Sequence, residues 1–172
     1  AKRNGNGNKR TKGNAELILQ IDAYLPDTYI SDQRHKIEIY KKIRQIDNCV
    51  NYEELQEELM DRFGEYPDVV AYLLEIGLVK SYLDKIFVQR VERKENKITV
   101  HFEKVTQRLF LAQDYFKALS ATNLKAAIAE NKGLMEVVFD VRNKKDYEIL
   151  EGLLIFGESL LEIKELKDGN SL

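Results

Sequence analysis

The 172-residue chain has one cysteine, two histidines, two prolines and no long apolar run. With Cys49 alone, no disulfide can form within the chain, and a reduced thiol in a cytoplasmic protein is expected. One cysteine plus His35 and His101, in separate predicted elements, cannot supply the four ligands of a structural zinc site. No stretch approaches the roughly 18 apolar residues that a membrane-spanning helix needs. The first residues lack the apolar core of a signal peptide. There is no G-x-x-x-x-G-K-[ST] and no G-x-G-x-x-G, and the GNGN at 5–8 has no strand before it. No serine sits in a nucleophile-elbow context. The sequence therefore offers no catalytic constellation, and no cofactor or metal is expected.

What is present is charge and an apolar core. Charged residues make up 33% of the chain and apolar residues 44%, enough for one soluble domain with a real interior. The net charge of −2 hides an asymmetry. Residues 1–14 carry Lys2, Arg3, Lys9, Arg10 and Lys12 and no acid; setting those five aside leaves 22 of the 27 basic residues against all 29 acids, a net of −7. An acidic body is poorly suited to tracking a phosphate backbone, so direct DNA binding is not expected. The Asn/Gly/Lys-rich head cannot bury a core and reads as a disordered basic linker over 1–15. A folded domain then spans 16–166, and 167–172 reads as a frayed tail. An alternative is a nucleic-acid-binding accessory module that uses the basic head. The nine tyrosines argue against it, because most sit among acids or at helix entries.

Hydrophobic periodicity gives the element order. Leu17, Leu19 and Ile21 alternate as a strand before Pro26. Ser31 or Asp32 can cap a helix whose apolar face is Ile39, Ile43 and Ile46, flanked by Ile37 and Tyr40. Asn51 and Glu54 resemble a capping box opening a second helix with Leu55, Leu59 and Phe63 inward. Gly64 stops that helix, and Pro67 suits the first turn of a third, 67–84, apolar on most faces. The period then changes to two: a hairpin turns at 95–96, a helix covers 106–120 with Leu109, Ala112, Phe116 and Leu119 inward, and a second hairpin turns at 131–133. Asn143 caps a final helix. His101 is expected on the exposed face of its strand and His35 on the surface of a first helical turn. The class is α+β: an N-terminal strand and helical region, then β-hairpins packed with two further helices, in a single compact domain.

The second helix carries the candidate site. With Leu55 at 0° and about 100° per residue, Leu59 and Phe63 lie within about 80° of it on one side. Arg62, Glu58, Glu54 and Asp61 follow on the other side, from about −20° to −120°. These four form one charged ribbon along an edge of the apolar stripe. Glu58 and Arg62 are an i,i+4 pair in the favourable orientation. Such a ribbon is either a solvated helix edge or a polar docking surface offering both signs of charge.

Two stretches carry a resemblance: IDAYLPDTYISDQRHKIEIYKKI and ELQEELMDRFGEYPDVVAYLLEIGLVK. Together they resemble the C-terminal domain of the bacterial transcription-repair coupling factors, well over 16–85 and by element order alone over 86–166. The resemblance implies a non-catalytic regulatory domain of a DNA repair translocase whose ATP-binding motor lies outside this chain. It implies docking on a UvrB-like N-terminal module of the same polypeptide, masking the surface that binds UvrA. The parent protein would act on stalled RNA polymerase. Matched to the D-R-F-G motif, the docking residues implied are Glu58, Asp61 and Arg62, with Glu54 beside them on the ribbon.

Overall fold

In a computed structural model of the chain, residues 10–170 are described. The expected disorder of residues 1–9 and the end of the tail, 171–172, lie outside them. The elements are β1 (Glu16–Ile18), α1 (Gln33–Arg44), α2 (Cys49–Phe63), α3 (Asp68–Lys85), β2 (Val88–Lys94), β3 (Lys97–Phe102), α4 (Thr106–Leu109), α5 (Ala112–Ser120), β4 (Lys125–Asn131), β5 (Leu134–Asp140) and α6 (Asp146–Asn170). The class is α+β, as the hydrophobic pattern requires.

The strands form one sheet in the order β1-β2-β3-β5-β4. Among the described residues, β1–β2 alone is parallel; the other pairings are antiparallel. Alternation along each strand sorts its side chains. Val91, Ile98, Val100, Val137 and Phe139 are fully buried beneath the helices, while Glu92, Thr99, His101, Glu136 and Val138 on the other face are half-exposed. His101, expected on an exposed face, is half-covered there, its Nδ1 2.7 Å from Glu136 directly across the ladder.

Among the described residues there are two apolar clusters. One joins the sheet to α5, α6 and the C-terminal half of α3 through Val79, Leu83, Phe102, Tyr115, Phe139 and Phe156. The other joins α1 and α2 to the N-terminal half of α3 through Ile39, Ile43, Leu55, Leu59, Leu74 and Leu78. The third helix is therefore apolar all round because it is covered from two sides. Where α1 crosses it, a side chain on Gly77 would begin 3.1 Å from Ile43 Cγ2 and 3.2 Å from the Ile43 carbonyl.

Local signals were mostly placed correctly, with informative exceptions. Asp32 caps α1, accepting from the Arg34 N–H at 2.7 Å. Ile37 is not part of the apolar face and is 66% exposed. The second helix starts earlier than Asn51: its cap is Asn48, which accepts the Asn51 N–H at 2.9 Å, and Asn51 in turn accepts from Asp47 N–H. The side chain of Glu54 is thus free of any capping duty. The expected helix 106–120 is two helices. Phe110 is extended, and Asp114 restarts the helix by accepting the Leu111 N–H at 2.7 Å. The restart shifts the phase: Tyr115, Ala118 and Leu119 point inward, and Phe116 is 59% exposed. Asn143 lies in a left-handed turn at φ 64°, not at a cap; Glu148 instead accepts the Lys145 N–H ahead of α6. That helix continues to Asn170, and Lys167 reaches back to Asp114.

The segment before β1 is anchored on the last turn of α3. The Gly13 N–H donates to the Asp84 carbonyl at 2.7 Å, and the Ala15 N–H to the Asp84 carboxylate at 2.6 Å. Lys80 donates to Asn14, to the Ala15 carbonyl and to Asp84. Asp84 is 9% exposed, so its replacement leaves the Ala15 amide without a partner. Asp84→Ala is expected to lower stability by about 1–3 kcal/mol in urea unfolding. Leu74→Ala and Leu83→Ala, one in each cluster, should each cost about 2–5 kcal/mol. Because α3 is shared, each should shift one common transition and leave no separate one behind.

Candidate docking face on the second helix

The charged ribbon of α2 is set by the two halves of the motif. Tyr29, from the LPDTYI loop, donates its hydroxyl to the Gly64 carbonyl at 2.8 Å. Its ring lies 6.0 Å from that of Phe63, which also touches His35. The Leu25 N–H donates to the Tyr40 hydroxyl at 2.9 Å. These contacts fix the entry loop, α1 and the end of α2 against each other. Gly64, at φ 85°, lets the chain leave the helix there, and its N–H closes on the Met60 carbonyl. His35 is half-exposed in the first turn of α1, as expected.

The geometry divides the four ribbon residues into two pairs. Glu58 and Arg62 face α1 and join a network there. Arg62 forks onto Glu38, with Nη1 to Oε2 at 2.7 Å and Nη2 to Oε1 at 3.1 Å, and its Nη1 also reaches Glu58 at 2.6 Å. Lys42 closes the ring, 2.8 Å from Glu58 and 3.3 Å from Glu38. The two acids and two bases cancel. The Arg62 guanidinium also lies 4.9 Å from the Phe63 ring. Glu54 and Asp61 are exposed and take no ion-pair partner among the described residues. Glu54 lines a shallow cleft of about 300 Å³ with Lys42, Gln45, Asn51, Leu55 and Glu58. The helical wheel of α2 brings Glu58 and Arg62 together but cannot show their partners on α1. The signal was available: Glu38 and Lys42 are themselves spaced i,i+4, so they share a helix face.

The network sets its own protonation. Hydrogen bonds from Arg62 and then Lys42 hold the Glu38 carboxyl down at about 2, against an ordinary value of 4.5. Glu58 is lowered chiefly by Lys42, and then by Arg62. Both bases are held above their ordinary values by the same carboxylates. Carboxyls that titrate lower in the folded chain stabilise it fully above their unfolded value. They lose that contribution as the pH falls through the folded one. Comparing wild type with Glu38→Gln by urea unfolding should therefore give a constant difference above about pH 5 that closes towards pH 2. A difference that persists unchanged at acid pH would mean that Glu38 acts by packing and not by charge.

Comparison with known proteins places this architecture. The model of the TRCF domain matches residues 19–113, which hold α1, α2, α3, β2, β3 and α4 and reach the first residues of α5. The transcription-repair-coupling factor of Bacillus subtilis (strain 168) is 24% identical over 163 residues, covering 95% of this chain and 14% of that protein. The one from Staphylococcus aureus (strain USA300) is 30% identical over 129 residues, covering 75% and 11%. The chain thus spans a small fraction of the length of these curated relatives. A crystal structure of the C-terminal domain of transcription-repair coupling factor is 93% identical, with a TM-score of 0.91, covering 92% of this chain and 98% of that one. The chain belongs to the TRCF domain family, the C-terminal domains of transcription-repair coupling factors.

Proposed function

We propose that this chain is a non-catalytic, autoinhibitory domain of a transcription-coupled DNA repair translocase. It docks through the α2 ribbon on a UvrB-like N-terminal module of the same polypeptide and masks the surface that UvrA binds. The observation that carries this reading is the split within the ribbon. Glu58 and Arg62 are held in place by Glu38 and Lys42, so the face is pre-organised. Glu54 and Asp61 project beyond that neutral network with no cation of their own among the described residues. The surplus on the face is negative, which suits arginines or lysines on the partner. Contacts between exposed charges are modest and salt-sensitive, as suits a clamp that must open during repair at a stalled RNA polymerase.

The alternative, nucleic-acid binding by the basic head, is less well supported. Arg10 and Lys12, the two basic head residues within the described region, pair with Glu103 and Asp47 of the acidic body.

The test uses the domain against the UvrB-like module in a pull-down at two salt concentrations. Glu54→Lys and Asp61→Lys leave the internal network alone and should each weaken docking about fivefold to tenfold, the equivalent of roughly 1–1.4 kcal/mol. In the full-length protein, Glu58→Ala with Arg62→Ala should raise UvrA binding while the isolated domain stays folded. If that double variant binds UvrA no better than wild type, these residues do not form the clamp.

A further inference from the structure

The outermost strand, β4, takes no part in the α2 face and reaches the main core through Ile128. It pairs with β5 on one side only, and every residue in it except Ile128 is exposed. Among the described residues, no main-chain group of 125–131 bonds outside the hairpin. The usual protections of an open edge are missing: there is no proline, the register with β5 is unbroken, and the charges Lys125 and Glu130 sit towards the ends of the strand.

The turn decides which groups point outward. Lys132 (φ 53°) and Gly133 (φ 82°) are both left-handed, which defines a two-residue type I′ turn closed by Asn131 opposite Leu134. The closing pair is hydrogen-bonded, and bonded and non-bonded pairs alternate from there. Ala129 and Ala127 therefore bond to β5. Ala126, Ile128 and Glu130 turn their N–H and C=O groups away from it. The side chains of these same three residues lie on the helix-bearing face, where Ile128 sits opposite Val137 and packs against the main core.

This pattern is self-complementary. Two copies of β4 laid antiparallel about an axis normal to the sheet keep both helix layers on the same side. That symmetry requires outward residues to oppose outward residues. The register that overlaps the whole strand is centred on Ile128. It sets Ile128 against Ile128 of the second copy, Ala126 against Glu130, Ala127 against Ala129, and Lys125 against Asn131. Each outward residue then meets an outward partner, no like charges face each other, and the alanines leave the backbones room to approach. We propose that β4 is a self-association edge through which a second copy of this chain extends the sheet in this register. A single strand edge buries less than a standard interface of about 1,600 Å², so the association is reversible, with a dissociation constant of roughly 0.1–1 mM.

Sedimentation equilibrium of the chain from about 10 μM up to about 1 mM, the upper end of that range, tests this. The weight-average mass should rise from 20.0 kDa towards twice that value. In the same range, amide exchange of Ala126, Ile128 and Glu130 should slow, with Ala127 and Ala129 unchanged. Ala127→Lys with Ala129→Lys sets lysines opposite each other across the axis and should weaken association at least tenfold. Ala127→Lys with Ala129→Glu should restore it. Both positions carry exposed side chains, and circular dichroism checks that the fold is retained. A mass that stays at 20.0 kDa throughout overturns the proposal, as does association that the double lysine variant leaves unchanged.

Discussion

The fold depends on one helix being covered twice. Val70, Leu74 and Leu78 of α3 belong to the α1–α2 cluster, and Val79 and Leu83 belong to the sheet cluster. A helix without a polar face cannot sit at a surface, so the chain must bring something against both its sides. The α1–α2 pair supplies one cover, and the sheet with α5 and α6 supplies the other. The position of α2, and with it the charged face, is thereby fixed relative to the sheet by packing along a single rod. Gly77 allows α1 close enough for that packing.

The network on the docking face shows how little of an ion-pair arrangement is local. Glu58 and Arg62 would hold each other in an isolated helix at a few tenths of a kcal/mol. In the folded chain each has a second partner from α1, and the Arg62 fork onto Glu38 adds directional bonds to simple attraction. The network therefore reports the α1–α2 packing as much as it decorates the surface. The residues left over, Glu54 and Asp61, acquire their meaning from being outside it.

Much of this was readable in the chain itself, for definable reasons. The period-two runs at 88–102 and 124–141 marked both hairpins because one face of the sheet is buried and the other is not. The continuous apolar pattern of α3 announced a covered helix, and Gly64 and Asp32 marked real ends. What failed were features set by a side chain acting across a short gap. Nothing in the apolar pattern marks Phe110 as extended; the break depends on Asp114 capping Leu111. Asparagine caps a helix equally well at 48 and at 51, and the apolar pattern does not distinguish them; in the fold Asn48 accepts the Asn51 N–H and Asn51 accepts from Asp47. The ribbon on α2 could be drawn on a wheel, but its closure onto Glu38 and Lys42 needed the angle between two helices, which no single-helix pattern contains.

The anchoring of residues 13–15 on Asp84 has a mechanical side. The strand β1 has three residues and a single neighbour, the parallel strand β2, so by itself it would resist pulling poorly. Tension applied along the segment ahead of it arrives first at the last turn of α3, where Gly13, Ala15 and Lys80 converge on Asp84. Load is thus delivered to the helix that both apolar clusters share before it reaches the weakest strand. A pull transmitted through this end would move α3, and the α1–α2 pair riding on it, as one body, in place of peeling the sheet.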